Sequence, residues 1–324
     1  MITREESCVL KAISIIAIIL CHFWGWIYQP VKFISLIAGS FCQTGVAMFL
    51  LLSGYGIMSS YKTKGMMNYW KRRIYKLYVP FFFISIPQLL LKVWEYRNNI
   101  GDMYIASTFL SALGVYPDNT LDGTLWFMAF ILMQYLIFWI AFRFFNKKRV
   151  QWIAFLGATF LGYIIFKKYF TWVSTNDIYG FSFCIGVILS ESNLLNVLSR
   201  KKEYFTIICS SILFYILTIQ WYDVALIRMF NGAILILIEI IFVHILLACF
   251  SLKLKICTWF GKISYELYLT EGIFFKNKIL YELAGYNYWG LLLHFFVIIV
   301  LSIVLQIIEK FVGNTLISKK SEYK

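Results

Sequence analysis

A lysine and a histidine close the two ends of one apolar run, KAISIIAIILCH at residues 11–22. Lys11 and His22 are eleven residues apart, about three helical turns, so a helix places both on one face, about 16 Å apart along its axis. Ionisable groups inside a membrane span cost a few kcal/mol each. Lys11 near the end of the run can snorkel to the interface, and a neutral His22 can donate to a neighbouring helix. Their shared face favours a functional role.

The second apolar run contains small and hydroxyl-bearing residues, in QTGVAMFLLLSGYGIMSSY at residues 43–61. Ser53 and Gly54 are small enough for another backbone or a substrate to approach closely, and Tyr55 offers a hydroxyl beside them. Ordinary helix packing through small residues is the alternative interpretation.

A cluster of cations follows directly, in YWKRRIYKLYVPFF at residues 69–82. Lys71, Arg72, Arg73 and Lys76 lie within six residues, just before Pro80. Such a cluster suits phosphate oxygens, arginine especially because of its fork of donors. Anchoring of a span at the cytoplasmic surface would also account for it.

A third polar set lies late in the chain, in WFGKISYELYLTEG at residues 259–272. Ser264, Tyr268 and Glu271 are spaced i, i+4 and i+7, one polar stripe on an otherwise apolar helix. The stripe is therefore expected to face protein or water.

Single polar groups in later spans are assigned to packing. These are Glu239 and His294, for which a structural role is the favoured interpretation. Glu239 and His244 are five residues apart, about 140° around a helix, which argues against a joint site. The chain's three histidines fall on three different predicted helices without ligand spacing, so no metal centre is expected.

The elements that carry these residues are predicted to be membrane-spanning helices. Of the 324 residues, 61% are hydrophobic and only 14% are charged, with a mean hydropathy of +0.75. This composition is typical of a polytopic membrane protein, because apolar stretches long enough to cross a bilayer recur throughout. The fold class is all-α, with about ten spans: 9–28, 41–60, 74–95, 125–145, 150–167, 179–196, 204–222, 226–250, 260–281 and 287–312.

The net charge of +14 follows from this topology. With the N-terminus in the cytoplasm, about 22 of the 30 basic residues lie inside, as the positive-inside rule requires. The charge therefore needs no nucleic-acid partner, and both termini are expected to be cytoplasmic. The longest connection, residues 96–124, falls outside as a cap or re-entrant segment. We expect a single transmembrane domain over residues 1–324, without an appended soluble domain.

Together these stretches resemble the acyltransferase 3 family of integral membrane proteins, which includes bacterial polysaccharide and peptidoglycan O-acetyltransferases. The matching pieces occur in family order over nearly the whole chain. They are Lys11 to His22, GVAMFLLLSGY at 45–55, YWKRRIYKLYVPFF at 69–82, LWF at 125–127, FCIG at 183–186 and GKISYELYL at 261–269.

The resemblance implies a reaction. Members take an acyl group, commonly acetyl, from acyl-coenzyme A in the cytoplasm to a sugar hydroxyl on or facing the other side. It implies acyl-coenzyme A as co-substrate, a glycan or lipid-linked sugar as acceptor, membrane lipid as surroundings, and no metal or nucleic acid. The implied location is the cytoplasmic membrane of a bacterium. His22 carries over as the catalytic base.

The remaining residues carry over as donor-binding or conduit groups. Those for the donor are Lys11, Lys71, Arg72, Arg73 and Lys76. Those of the conduit or acceptor site are Ser53, Gly54, Tyr55, Trp126, Ser264, Tyr268 and Glu271.

Two departures from the family pattern stand out. Lys11 stands where arginine is common, and Glu271 follows SYELYL where many relatives carry a histidine a residue or two further on. The glutamate could orient His22, bind the sugar or pack as a neutral acid, and it puts a two-histidine mechanism in doubt. A transporter or flippase using the same polar conduit, and a non-catalytic partner subunit, are the competing interpretations.

Overall fold

The computed structural model describes residues 2–23, 32–95, 126–169, 180–192, 225–249 and 255–318, together with residues 209 and 212. Within these ranges the chain forms eleven α-helices and no β-strand, which confirms the all-α prediction for this part. The helices are α1 (Arg4–His22), α2 (Lys32–Lys64), α3 (Tyr69–Glu95), α4 (Trp126–Phe144), α5 (Lys148–Tyr169), α6 (Ser182–Glu191), α7 (Ala225–Cys249), α8 (Lys255–Lys262), α9 (Ser264–Asn277), α10 (Ile279–Leu283) and α11 (Tyr288–Ser318).

Four segments among the described residues are long and apolar enough to cross a bilayer. They are Thr44–Lys64, Trp126–Phe144, Lys148–Phe166 and Tyr288–Val312, and two shorter apolar helices cover Ser182–Glu191 and Gly232–Ile245. Ten spans and the side on which the termini lie remain predictions. The seventh predicted span, 204–222, and the predicted external connection at 96–124 lie outside the described helices.

Two predicted spans differ from the structure. The ninth, 260–281, is not one helix: it is broken between α8 and α9 at Ile263, and again at Lys278, whose φ of 52° is left-handed. Lys262 lies beside the first break, and the polar residues KNK at 276–278 coincide with the second; the prediction of one span passed over both interruptions. Within the described part of the sixth, residues 180–192, helix α6 covers ten residues and ends where Ser192 becomes extended.

Helix α1 begins where its sequence provides a cap. The Thr3 hydroxyl accepts a hydrogen bond from the Glu6 amide at 3.1 Å, and the Glu6 carboxylate accepts one from the Thr3 amide at 2.6 Å. This reciprocal pair satisfies two amides that the first helical turn leaves without intrahelical partners. From Arg4 the helix runs unbroken to His22.

The described chain divides into two compact units. The first comprises residues 1–67 and 131–262, and the second comprises residues 68–130 and 263–324. Helices α1, α2 and α5 to α8 belong to the first unit, helices α3 and α9 to α11 belong to the second, and α4 contributes residues to both.

The first unit is built on close backbone contacts at glycines. A Cβ added at Gly54 of α2 would lie 2.0 Å from the Phe183 carbonyl oxygen, and one at Gly186 of α6 would lie as close to the Leu51 oxygen. Helix α8 approaches α1 in the same way, through Gly261 against the Cys8 carbonyl. The glycines let these helix backbones touch.

Polar contacts also join three helix ends of the first unit. Glu191 at the end of α6 pairs with Lys62 near the end of α2 at 3.2 Å and with Lys148 at the start of α5 at 2.7 Å. These three ends therefore lie on one side of the unit.

The second unit packs α9 and α10 on α11, with α3 beside them. Thr270 and Ser302 hydroxyls lie 3.1 Å apart between α9 and α11, and both donate to the Ile298 carbonyl. Tyr265 of α9 donates to the Leu77 carbonyl of α3 at 2.8 Å. Buried hydroxyls thus bond to backbone, so they cost little in an apolar interior.

Candidate active site

The ionisable groups at the two ends of the first apolar run lie on one continuous helix, as predicted. Lys11 and His22 both belong to α1, and both are partly exposed, in contrast to the buried Ile15, Ile18 and Ile19 of the same helix. Helix α1 packs on α2, α7 and α8 of the first unit. The unbroken helix fixes the separation of the amine and the imidazole.

The start of α1 is fastened by a carboxylate–histidine pair. Besides bonding to Thr3, the nearly buried Glu6 bonds through its other carboxylate oxygen to Nδ1 of His244 on α7, at 2.5 Å. Burial alone would raise the pKa of Glu6, but the hydrogen bonds of Thr3 and the contact with His244 outweigh it, so the pKa lies below its ordinary value. Glu6 is therefore ionised at neutral pH and holds α1 against α7.

Glu239 has a different partner from His244, as their spacing predicted. Its carboxyl group forms a hydrogen bond with the side chain of the buried Thr44 on α2. The two residues therefore serve separate contacts of α7.

The predicted conduit residues of α2 face different surroundings. Gly54 is buried against the backbone of α6, which accounts for this glycine by helix packing alone. Ser53 and Tyr55 are partly exposed, and the Tyr55 hydroxyl accepts a hydrogen bond from the Ile2 amide at 3.1 Å.

The contacts of α1 with α2 give the order of the predicted site residues. Ile2 meets Tyr55, whereas Ser14 lies against Gly45, so the two helices run antiparallel. Tyr55 therefore lies near the start of α1, Lys11 lies further along, and His22 lies at the far end.

The predicted phosphate-binding cations lie in the first turns of α3, in the second unit. Lys71 and Lys76 are exposed, whereas Arg72 and Arg73 are partly buried. The Arg73 guanidinium lies 6.0 Å from the centre of the Tyr69 ring. Nε of Arg72 is buried and has no hydrogen-bond partner among the described residues. The start of α3 thus presents two exposed lysine amines and two partly buried guanidinium groups.

The polar stripe of the second unit faces protein. Ser264 and Glu271 of α9 are buried, and Tyr268 is partly exposed, with its ring 6.2 Å from that of Tyr265. The Phe127 ring, next to the partly exposed Trp126, meets Tyr268 edge-on at 5.4 Å. The structure thus brings Tyr268 close to the segment that carries Trp126.

Sequence reasoning missed two polar residues with defined contacts. The cap of α1 was readable, because Thr3 and Glu6 have the spacing of a capping box. Pairing of Glu6 with His244 had no sequence signal, since the residues are 238 positions apart. The buried Tyr281, which interacts with Glu271, also had no sequence signal, because it lies on a separate short helix that begins after Lys278. Among the described residues no group of three or more histidine, cysteine, aspartate or glutamate side chains could hold a metal ion.

The four apolar helices of spanning length among the described residues define an α-helical membrane protein. A family model described as an acyltransferase domain matches residues 8–308, nearly the whole chain, which therefore belongs to the acyltransferase 3 family. Membership confirms the resemblance and makes the protein a membrane acyltransferase. The comparisons with curated proteins and with solved structures found no match.

Proposed function

We propose that the protein is an O-acyltransferase that moves an acetyl group from cytoplasmic acetyl-coenzyme A to a hydroxyl of an extracytoplasmic or lipid-linked glycan. We place it in the cytoplasmic membrane of a bacterium. The observation that carries the proposal is the unbroken α1, which holds Lys11 and His22 at a fixed separation in a chain of this family. The order of Tyr55, Lys11 and His22 supports a donor threaded inward from the helix start.

His22 is the general base in this proposal. Its imidazole takes the proton of the acceptor hydroxyl while the hydroxyl oxygen attacks the thioester carbonyl. When the tetrahedral intermediate collapses, the carbon–sulfur bond breaks, and the imidazolium returns the proton to the departing thiolate. General-base help of this kind contributes about 10² to 10⁴ in rate.

The cations hold the donor. Lys71, Arg72, Arg73 and Lys76 would bind the phosphates of coenzyme A, the arginines through paired N–H donors. Lys11 carries the same positive charge as an arginine but lacks its paired N–H donors, so it would attract the donor's phosphates without bidentate hydrogen bonds. Ser53, Tyr55 and Trp126 would line the path, and Ser264, Tyr268 and Glu271 would meet the acceptor side.

The first test follows label from acetyl-coenzyme A into glycan. Membranes with wild type or His22→Ala receive labelled acetyl-coenzyme A, and His244→Gln serves as the matched control because it also removes a histidine of the first unit. We expect transfer by wild type and by the control, per folded protein, and a loss of about 10²-fold or more for His22→Ala. Equal transfer by wild type and His22→Ala would contradict the role of His22.

The same experiment separates the competing functions. Absence of label in the glycan of wild-type membranes would count against acetyl transfer. Movement of unmodified substrate across the membrane would instead favour a transporter or flippase.

The second test concerns the donor. Arg72→Gln with Arg73→Gln should raise the KM for acetyl-coenzyme A about tenfold or more, because each lost hydrogen bond to a charged phosphate is worth about 1.5 to 3 kcal/mol. Insertion should be unchanged, since other inside cations still set the topology. The control is Lys148→Gln, an exposed cation of the first unit. An unchanged KM in the double variant would restrict both arginines to anchoring.

A further inference from the structure

Two tyrosine hydroxyls bond the start of α3, which carries the proposed phosphate-binding cations, to neighbouring helices of the second unit. The Tyr265 hydroxyl on α9 donates a hydrogen bond to the Leu77 carbonyl oxygen at 2.8 Å. The Tyr75 hydroxyl, on α3 itself, donates to the Glu309 carbonyl oxygen on α11 at 3.2 Å. The start of α3 is therefore bonded to both α9 and α11.

The sequence of α3 explains why this segment needs bonds from outside its own helix. The helix continues through Pro80. A proline has no backbone N–H, so Pro80 cannot donate to the Lys76 carbonyl one turn earlier, and its ring crowds that carbonyl. Helices bend most readily at such positions. The turns before Pro80 therefore depend on bonds from neighbouring helices for their direction, and Tyr265 supplies one at Leu77, the residue after Lys76.

The Tyr265 side chain also reaches the predicted acceptor residues. Its hydroxyl lies 3.2 Å from the Met128 sulfur on α4, two residues after Trp126. Its ring stacks on the Tyr268 ring, with centroids 6.2 Å apart and planes at 25°. Phenylalanine at this position would keep the stacked ring but would lose both contacts of the hydroxyl. The hydroxyl is thus the group that hydrogen-bonds α9 to α3.

The arginines lie on the segment that these bonds hold. Arg73 precedes Leu77 by one helical turn, and Arg72 is the residue before it. Nε of Arg72 is buried without a hydrogen-bond partner in the part of the chain that the structure describes. The position of this guanidinium therefore follows from the helix that carries it. Because paired N–H donors meet two phosphate oxygens only in a narrow geometry, the direction of the segment affects how well the arginines bind a phosphate.

We infer that Tyr265 and Tyr75 are positioning residues of the donor site, whose hydroxyls hold the start of α3 in the direction in which its arginines bind the phosphates of coenzyme A. The inference rests on the proposed function. Each hydroxyl acts through Arg72 and Arg73 and does not itself contact the donor. The net strength of one hydrogen bond limits the effect, so the loss of one hydroxyl can weaken donor binding by about two- to tenfold.

The test removes a hydroxyl and keeps the ring. Wild type and Tyr265→Phe are purified in detergent, and the Kd for coenzyme A is measured by calorimetry per folded protein. Tyr286→Phe is the matched control, because it removes a tyrosine hydroxyl that bonds to Glu282 at 3.0 Å on the surface of the same unit, away from α3. We expect Tyr265→Phe to raise Kd about three- to tenfold and Tyr286→Phe to keep the wild-type Kd. In membranes with saturating acetyl-coenzyme A, kcat of Tyr265→Phe should stay within about twofold of wild type, because the hydroxyl serves binding.

A double-mutant cycle separates positioning from general packing. In a protein that already carries Arg72→Gln and Arg73→Gln, Tyr265→Phe should change Kd by less than about twofold, because the effects of residues that act through one another do not add. An equal factor in the presence and absence of the arginines would contradict a role through them.

An unchanged Kd in Tyr265→Phe would overturn the inference and leave the proposed function standing. If Tyr265→Phe does not accumulate, Tyr75→Phe decides, because it removes the other hydroxyl bond of the same segment and keeps the ring. The inference then requires a raised Kd, and an unchanged Kd contradicts it. A wild type that binds no coenzyme A would show that the donor in the proposed function is wrong, and the inference would fall with it.

Discussion

The two units each contain a glutamate and a histidine on packed helices, in different surroundings. In the first unit, the Glu6 carboxylate contacts His244 directly, and 43% of the His244 side chain is exposed. In the second, Glu271 and His294 are buried, and the Tyr281 ring stacks on the imidazole. The same residue types cost little at a helix end near water and much more in an apolar interior. The Glu6–His244 pair fastens a helix, whereas the fully buried Glu271 and His294 need a functional reason.

The first unit further differs in depending on backbone contact. Gly54→Ala should give the largest effect of all, because its Cβ would lie 2.0 Å from a backbone oxygen that cannot move independently. We expect a destabilisation of at least about 1 to 3 kcal/mol and a marked loss of folded protein. The measurement is the folded fraction remaining after heating in detergent.

Gly56→Ala is the matched control in the same helix, since nothing lies within 4 Å of its added Cβ. It should leave the folded fraction unchanged or slightly higher. Normal accumulation of Gly54→Ala with reduced transfer would assign Gly54 to the substrate path rather than to packing.

Substitution of the buried Glu271 should lower the turnover number rather than the stability of the protein. Glu271→Gln keeps the size of the side chain, and we expect kcat to fall about tenfold or more while abundance stays near wild type. Glu239→Gln is the control, a second glutamate in an apolar helix with a hydrogen-bonded partner. A loss of abundance alone in Glu271→Gln would make this residue structural and remove the contrast between the units.

Breaking the Glu6–His244 pair should give the smallest effect. Glu6→Gln should destabilise the protein by about 1 to 2 kcal/mol at pH 7, because it weakens a helix cap and an ionic hydrogen bond. The pKa of Glu6 is lowered in the folded protein, so its contribution is present above the ordinary glutamate pKa and is lost as pH falls through the lowered value. Thermal stability of wild type and variant should therefore converge in acid.

The measurement compares folded fractions after heating at about pH 7 and below about pH 4. A gap between the two proteins that persists unchanged in acid would show that the ionised carboxylate is not what fastens α1.

Local sequence patterns predicted where most helices lie, but they predicted few of the contacts between helices. Lys11 and His22 share a helix because their spacing and the apolar residues between them dictate it. The end of α9 at Lys278 was not predicted, although the polar residues KNK at 276–278 lie there, because a short polar stretch does not by itself determine a left-handed residue. Gly54 could be read equally as path or packing until its neighbour on α6 was known.

The sequence by itself determined the membrane class, the helical periods and the family, because composition and spacing along a chain are local properties. Only the tertiary structure decided that Glu6 contacts His244 and that the His294 ring stacks on Tyr281. Such pairings join residues far apart in sequence, and they follow from how helices pack. The degree of burial then sets the free-energy cost of placing a carboxyl group or an imidazole in the protein, and a high cost calls for a functional explanation.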